Sequence, residues 1–236
     1  MFIVDKAATA SMKHTLPVPK VIFFDIDDTL SRNGVIAAHN QATLEALAKT
    51  DIKLVISTGR SKAILPADIL ALFEADVLDA IICMNGQYSF DNKGVISHYP
   101  LSAEQTDKIV QLCETSELIH KFDSATHIAW SGENARLREY NAITPNSILD
   151  PDYHKANTVY QCSVFFNNPE EKMQDIDFAE DDLKLVHWHH IGADILPANA
   201  SKARGIKDVC QYYGVDAREC MAFGDGMNDL EIFDLV

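Results

Sequence analysis

The chain has 236 residues, of which 47% are hydrophobic and 23% are charged, as expected of a folded protein with one large domain or two modest ones. Its 35 acidic residues exceed its 20 lysines and arginines, and the net charge of −15 argues against nucleic acid or an anionic membrane as the main partner. No stretch has the continuous apolar length of a transmembrane helix or of a signal-peptide core, and the five cysteines are scattered without a Cys-x-x-Cys pair. We therefore expect a cytoplasmic protein with free thiols and no membrane partner.

The first predicted strand ends in a cluster of acids. Residues 1–19 predict a leader that is disordered or poorly packed, and the apolar run Val21–Phe24 that follows is typical of a buried parallel strand. The chain continues as Asp25-Ile26-Asp27-Asp28-Thr29-Leu30. Side chains two residues apart lie on the same face of a strand, so Asp25 and Asp27 can reach into one crevice. Ligands of open α/β sheets bind outside the carboxyl ends of the strands, which is where these carboxylates would lie.

Two further predicted strands, over 52–57 and 79–84, also end in polar or glycine-containing groups. They run into Thr58-Gly59-Arg60 and into Asn85-Gly86. Helical sequence separates the three strands, over 39–50 and after Ser61, which can cap a helix that Pro66 interrupts or restarts. Strands that alternate with helices predict βαβ units and a parallel sheet, so the expected fold class is α/β.

The pattern changes after Gly86 to antiparallel hairpins that alternate with helices. Such a pattern predicts an α+β module inserted into the parallel one, and we expect it over 87–190. Its predicted elements are a hairpin over 87–90 and 94–98, a helix opened by a Ser102–Gln105 capping box, a hairpin over 118–122 and 126–130, a helix over 133–142, a loop over 143–158, a strand over 159–166, a polar helix over 169–179 and a hairpin over 183–188 and 191–196.

The α/β pattern then returns and brings a second acid cluster. Ser201 is expected to cap a helix over 202–213, with Lys202 in its first turn. A short strand over 220–223 runs into Gly224-Asp225-Gly226-Met227-Asn228-Asp229, and a helix is expected to follow.

If all strand ends belong to one sheet, both acid clusters meet at one edge. Two carboxylates about 4 Å apart repel by roughly 4 kcal/mol at an effective dielectric constant of about 20, so a divalent cation is the simplest compensation. Oxygen ligands without nearby Cys or His suit Mg²⁺ better than Zn²⁺. The alternative is that the acids only form turns. Because two acid clusters follow two different strands, this interpretation is the less favoured one.

Donors are expected around the same edge. Thr58, Asn85, Lys202 and the neighbouring glycines supply them, and such donors most often converge on a phosphoryl group. Taken singly, Lys202 and Arg60 would more often be surface residues, although Arg60 directly follows a strand end.

These motifs resemble those of the haloacid dehalogenase (HAD) superfamily. Asp25-Ile26-Asp27-Asp28-Thr29 is similar to its DxDxT signature, and Thr58-Gly59-Arg60, Ser201-Lys202 and the Gly224–Asp229 run are similar to its second, third and fourth motifs, in the same order. The insertion and Asn85-Gly86 resemble the Cof-like hydrolase subgroup, which has a large α/β cap. The resemblance implies a Rossmann-like parallel-sheet core over 20–86 and 191–236 with an inserted α+β cap domain over 87–190. Members of the subgroup continue a few dozen residues past the fourth motif, so the resemblance also implies a truncated C-terminal end.

The resemblance also implies a role for each motif residue. Asp25 would attack phosphorus and form an aspartyl-phosphate, and Asp27 would protonate the leaving oxygen and then deprotonate the hydrolytic water. The implied phosphate-binding residues are Thr58, Gly59, Asn85, Lys202, which would also restrain Asp25, and Asn228. The implied Mg²⁺ ligands are Asp25, the backbone carbonyl of Asp27, Asp225 and Asp229.

The function implied is that of a Mg²⁺-dependent phosphatase acting on a small phosphorylated metabolite, a sugar phosphate or a similar phosphomonoester. A phosphomutase or phosphotransferase on the same scaffold is the nearest alternative. A receiver-like signalling domain lacks the DxDxT spacing and a cap, and intact Asp25 and Asp27 argue against a non-catalytic phosphate-binding protein. We expect a monomer or a homodimer.

Overall fold

The computed structural model describes residues 17–32, 34–133, 146–166, 182–189 and 192–236, with 188 and 189 described by their backbone alone. Most of the predicted leader and of the predicted helix over 133–142, and the whole predicted helix over 169–179, lie outside these residues. Among the residues described, none of the helices has the length and continuous apolar character that spanning a bilayer requires.

The first part of the chain builds alternating strands and helices. In chain order these are β1 (Val21–Phe24), the short hairpin β2 (Ser31–Arg32) and β3 (Val35–Ile36), α1 (Ala38–Leu47), β4 (Lys53–Ser57), a 3-10 turn (Lys62–Ile64), α2 (Ala67–Glu74), β5 (Ala80–Cys83), a second 3-10 turn (Met84–Gly86), β6 (Tyr88–Asp91) and β7 (Gly94–His98). The predicted strands and the hairpin are confirmed. Ser61 makes no side-chain cap, and the helix after Pro66 is a separate one because proline fixes the backbone where α2 begins.

The last part of the chain returns to the same sheet. It consists of α5 (Lys202–Tyr213), a 3-10 turn (Ala217–Glu219), β14 (Cys220–Phe223), a 3-10 turn (Met227–Asp229) and α6 (Leu230–Phe233). Ser201 caps α5 as predicted, because its hydroxyl accepts a hydrogen bond from the backbone N–H of Arg204 at 3.0 Å.

The first sheet has the strand order β14-β1-β4-β5-β6-β7. Strands β14, β1, β4 and β5 pair in parallel, and the β6–β7 hairpin adds an antiparallel edge. All of β1 is buried because Ile22 and Phe24 enter one hydrophobic cluster whereas Val21 and Phe23 enter another on the opposite face, beside α5. This burial on both faces confirms the predicted α/β fold class.

The middle of the chain forms a second sheet, which we call the cap together with its helices. Its elements are α3 (Ala103–Thr115), β8 (Ile119–Asp123), β9 (Ile128–Trp130), β10 (Ser147–Leu149), α4 (Tyr153–Ala156), β11 (Gln161–Phe165), β12 (Leu183–His189) and β13 (Gly192–Pro197). The strand order is β10-β9-β8-β11-β13-β12, antiparallel except for the β9–β10 pair. The capping box of Ser102 and Gln105 is present as predicted. The predicted loop over 143–158 is wrong in part, because it contains β10 and α4.

The change from one sheet to the other does not coincide with residues 87 and 190. The β6–β7 hairpin over 88–98 extends the first sheet, and β13 over 192–197 belongs to the second. Hairpin formation is a local property, but the sheet that a hairpin joins depends on distant strands, which explains the offset.

Candidate active site

Four strand ends meet at one edge of the first sheet. Phe24 at the end of β1 is in register with Ile56 of β4 and with Phe223 of β14. The N–H of Asp25 therefore donates to the carbonyl of Phe223 at 2.9 Å, and the N–H of Thr58 donates to the carbonyl of Ile82 at 2.9 Å. The backbone thus brings Asp25, Thr58 and the segment after β14 to one rim.

Lys202 joins the two acid clusters at this rim. Its ammonium group lies 2.6 Å from Oδ1 of Asp25 and 2.7 Å from Oδ1 of Asp229, and only 1% of the residue is exposed. A buried lysine of this kind needs anionic partners, and here it has two. The other oxygen of Asp229 accepts a hydrogen bond from the N–H of Gly226 at 2.9 Å, so that carboxylate is fixed on both sides.

Two glycines allow these groups to approach. Gly86 has φ +83, and a Cβ there would lie 2.1 Å from the carbonyl oxygen of Ser201, the cap of α5. A Cβ at Gly224 would lie 2.4 Å from Cγ of Asp229. Only glycine fits at both positions, so the chain needs these residues to set Lys202 and Asp229 against the sheet.

Asp25 is buried, with 7% of its surface exposed. This burial raises the pKa of its carboxyl group to about 6, although the charge of Lys202 opposes the shift. A carboxylate that is poorly hydrated and held by one cation is a better nucleophile than a fully solvated one.

Three carboxylates meet within the described part of the chain. Asp25, Asp225 and Asp229 each place one oxygen within 4.8 Å of the others. Asp225 is exposed and accepts a hydrogen bond from the hydroxyl of Thr29 at 3.1 Å. Carboxylate oxygens at this spacing fit a hard divalent cation such as Mg²⁺. The backbone carbonyl of Asp27 remains a predicted ligand, and the side chain of Asp27 pairs with Arg60, as described below.

The predicted phosphate-binding residues also lie at the rim. The N–H of Asn85 donates to the carbonyl of Thr58 at 3.1 Å, and Nδ2 of Asn228 donates to Oδ1 of Asn85 at 3.0 Å. Gly59 packs against the Asn85 side chain, with an added Cβ only 3.3 Å from its Nδ2. These contacts place Thr58, Gly59, Asn85 and Asn228 beside one another, and their binding of phosphate stays a prediction.

Arg60 pairs with Asp27 at this rim, although its place in the sequence, taken singly, would more often be that of a surface residue. Its Nε and Nη2 atoms donate to the two carboxylate oxygens of Asp27, each at 2.8 Å. The hydrogen bond to Asp27 raises the pKa of the Arg60 guanidinium. An arginine in a turn is usually solvated, so only the position of Arg60 directly after Thr58-Gly59 indicated in the sequence that it could lie at the rim.

One face of the cap also carries polar side chains, on neighbouring strands. The ammonium group of Lys121 contacts both oxygens of Asp123 at 2.9 and 2.7 Å, and Nε2 of Gln161 donates to Asp123 at 3.1 Å. The hydroxyl of Ser163 donates to Asp194 at 2.7 Å. We call these five residues the polar row. The opposite face of the sheet packs on the cap helices.

The polar row faces the rim of the first sheet. Register places Lys121 opposite Trp130, so the two side chains share a face. Trp130 and Phe165 pack against Ala63 and Ile64, which follow Arg60 in the 3-10 turn. The face of the cap that carries the polar row is therefore the face turned toward the segment that holds Arg60.

Comparison with known proteins agrees with this geometry. Residues 22–236 match the family model of the haloacid dehalogenase-like hydrolases. A putative phosphatase of Bacillus subtilis is 28% identical over 221 residues, covering 92% of this chain and 83% of that protein. A putative bifunctional phosphatase/peptidyl-prolyl cis-trans isomerase of Streptococcus pyogenes is 26% identical over 234 residues, covering 98% of this chain, and this chain spans 49% of that protein, about half of its length.

Solved structures point to the same fold. A HAD subclass IIB sugar phosphatase superposes with a TM-score of 0.79 at 25% identity, covering 92% of this chain and 85% of that chain. Its similarity includes both sheets, so the expected Rossmann-like core with an α+β cap is confirmed. With a family model that matches nearly its whole length, this chain belongs to the haloacid dehalogenase-like hydrolase family.

Proposed function

We propose that this protein is a Mg²⁺-dependent phosphatase that hydrolyses a small phosphorylated metabolite through an aspartyl-phosphate on Asp25. The observation that carries the proposal is the contact of Lys202 with both Asp25 and Asp229, beside the carboxylate of Asp225. This arrangement provides a nucleophile, a cation and a place for a metal at one rim, which is what phosphoryl transfer requires.

In the first step, a carboxylate oxygen of Asp25 forms a bond to phosphorus while the bond from phosphorus to the ester oxygen breaks. Asp27 gives a proton to the departing oxygen. In the second step, Asp27 takes a proton from water, the water oxygen bonds to phosphorus, and the bond to Asp25 breaks to release phosphate. Lys202 holds Asp25 in place in both steps and offsets negative charge. A Mg²⁺ held by Asp25, Asp225, Asp229 and the carbonyl of Asp27 would neutralise charge on the phosphoryl oxygens.

Thr58, Gly59, Asn85 and Asn228 provide the donors for the remaining phosphoryl oxygens in this proposal. They lie on three different segments of the rim, and the hydrogen bonds between Asn85 and its neighbours fix them before substrate binds. Fixed donors cost little reorganisation when charge develops, so this arrangement favours transfer.

The proposed substrate is a sugar or polyol phosphate. The polar row alternates donors and acceptors on the cap face that is turned toward the rim. Such a surface suits a leaving group with several hydroxyl groups. The name of the similar solved structure, a sugar phosphatase, supports the same class.

We further propose that the core and the cap are separate domains, with the cap beginning after β7 and ending after β13 instead of at residues 87 and 190. The pairing of the strands supports these limits. A cytoplasmic monomer or homodimer that acts on a soluble metabolite remains part of the proposal.

Release of inorganic phosphate from p-nitrophenyl phosphate and from a panel of hexose, pentose and glycerol phosphates tests the proposal. We expect release with Mg²⁺, loss of release with excess EDTA, and a kcat at least about a thousandfold lower for Asp25→Asn. Phosphate release without an acceptor sugar separates a phosphatase from a phosphotransferase. An Asp25→Asn protein as active as the wild type would refute the mechanism.

A further inference from the structure

Arg60 and Asp27 form a two-point contact that the proposed steps leave unexplained. Nε and Nη2 of Arg60 donate to separate oxygens of Asp27, each at 2.8 Å. The two side chains are 33% and 52% exposed, and an ion pair with this much exposure adds little to folding stability. Its paired, coplanar donors instead fix the direction of the carboxylate.

The arginine is anchored independently of Asp27. Its N–H donates to the hydroxyl of Thr58 at 3.1 Å, and its carbonyl accepts from the N–H of Met84 at 2.9 Å. Its Nη1 also donates to the carbonyl of Ile64 at 3.4 Å, in the turn that packs on the cap. The backbone of Arg60 is therefore held by the segments after β4 and β5, and its guanidinium is held by the segment beneath the cap.

Asp27 has no comparable support of its own. Within the described residues, its carboxylate accepts no hydrogen bond except those from Arg60. It belongs to the segment after β1, where the next residue, Asp28, has φ +56. Without Arg60, the side chain of Asp27 would be free to turn among its rotamers.

We propose that Arg60 is a positioning residue that holds the carboxyl group of Asp27 in the orientation needed for proton transfer, an inference that rests on the proposed function. When Asp27 carries its proton, one oxygen still accepts a hydrogen bond from Arg60 and the other presents its O–H to the leaving oxygen. The O–H bond of Asp27 then breaks as the O–H bond of the leaving alcohol forms, and Arg60 keeps its own protons.

The test compares two esters that differ in their need for a proton. p-Nitrophenyl phosphate releases a stable phenolate, so proton donation contributes little, whereas glycerol phosphate and glucose 6-phosphate release alkoxides that require it. We expect Arg60→Gln to lower kcat/KM on the alkyl esters by about 10- to 100-fold and on the aryl ester by less than about threefold. The ratio kcat/KM is the quantity compared because it reports formation of the aspartyl-phosphate, whereas the later hydrolysis uses Asp27 in the same way for both esters. Retained aryl activity also demonstrates that the variant is folded.

Two further variants complete the test. Because Arg60 acts through Asp27, Arg60→Gln combined with Asp27→Asn should be no slower on alkyl esters than Asp27→Asn alone. The matched control is Arg218→Gln, because Arg218 makes the same two-point contact with Asp216, at 3.0 and 2.6 Å, on the turn before β14. It should leave the rates on both esters unchanged.

Several results would overturn the inference. An equal loss on both ester classes would mean that Arg60 binds the phosphoryl group, and an unchanged alkyl rate or additive losses in the double variant would remove its link to Asp27. If the wild type releases phosphate from neither ester, the proposed function fails and the inference falls with it. If the wild type is active on both and the leaving-group pattern is absent, the inference alone fails.

Discussion

Asp25 and Lys202 are each costly to bury alone, and their contact makes both tolerable at the rim. The ammonium group has two carboxylate partners within 2.7 Å, but Asp25 shares that one cation with Asp229. Burial therefore still outweighs attraction for Asp25, whose pKa rises to about 6. The proposed nucleophile is thus held in place at the expense of folding stability, a compromise common at active sites.

This compromise predicts a pH-dependent gain in stability on removing the charge. The folded-state pKa of Asp25 is about 6 against a reference of 3.8, so its contribution to stability is fully present below 3.8 and is lost as pH rises through about 6. Above that pH the penalty is about 3 kcal/mol, an order-of-magnitude figure. In EDTA, we expect Asp25→Asn to unfold at higher urea than the wild type at pH 8, with most of the difference gone at pH 4.

The control for this comparison is Asp51→Asn, an exposed position where the same exchange should change the urea midpoint little at either pH. A less stable Asp25→Asn protein at pH 8 would show that Lys202 outweighs the burial of Asp25.

At the scale of elements, the position of α5 decides where Lys202 reaches the sheet. The helix begins against the 3-10 turn at Met84–Gly86, where Gly86 lies under Ser201. Gly205, one turn into the helix, has the same role, because a Cβ there would lie 2.5 Å from Cγ2 of Ile82. Gly86 and Gly205 thus allow α5 to pack close to the sheet, and this close packing determines how far the side chain of Lys202 extends into the rim.

We predict that Gly86→Ala destabilises the protein much more than Gly34→Ala. Both glycines have positive φ, but a Cβ at Gly34 meets nothing within 4 Å, whereas at Gly86 it meets the backbone of Ser201. Backbone strain alone costs about 1 kcal/mol, and overpacking against a fixed backbone should bring the loss at Gly86 to about 3 kcal/mol or more. Urea unfolding of the two variants measures the difference, and equal losses would mean that α5 can shift to make room.

At the scale of the whole molecule, hydrogen bonds at a buried junction connect the cap to the core. Gln87 is fully buried at the junction, and its Nε2 donates to the carbonyl of Tyr99 at 2.7 Å and to that of Tyr160 at 3.2 Å. Asn146 of the cap donates to the carbonyl of Ala63 at 3.2 Å. These contacts join the cap to the core, and in the proposed function the cap would act as a lid that selects the leaving group and excludes water.

Gln161 gives the sharpest test of the polar row. It is 3% exposed, and its Oε1 has no hydrogen-bond partner among the described residues, whereas its Nε2 is engaged by Asp123. An acceptor left in this state can accept a hydrogen bond from a substrate hydroxyl once the cap opens. We expect Gln161→Leu to lower kcat/KM for sugar phosphates about tenfold relative to p-nitrophenyl phosphate.

The matched control is Gln111→Leu, the same exchange at an exposed position of α3, which should change neither rate constant. A parallel loss on all esters in Gln161→Leu would indicate a structural role in the cap instead of substrate recognition.

Much of the fold and the site could be predicted from the sequence, because the signals are local. Apolar runs such as Val21–Phe24 predict strands, and the Ser102 capping box predicts the start of a helix within a few residues. The convergence of Asp25 and Asp229 also followed, since parallel strands bring their carboxyl ends to one edge whatever the lengths of the connections. The contact of Lys202 with Asp25 was implied by the resemblance to the family motifs.

Only the tertiary structure decided which surfaces meet. Asp27 and Arg60 are 33 residues apart, and nothing in either segment specifies the rotamers that pair them. The alternation of Lys121 and Asp123 along β8 predicts a shared face but not whether that face meets solvent or the rim of the core. Likewise, the sequence predicted the β6–β7 hairpin but not the sheet that the hairpin extends, because edge pairing is a contact between distant strands. Short-range spacing therefore determined the elements and the residue types at the strand ends, whereas long-range packing determined the contact of Asp27 with Arg60 and the surface of the cap that faces the core.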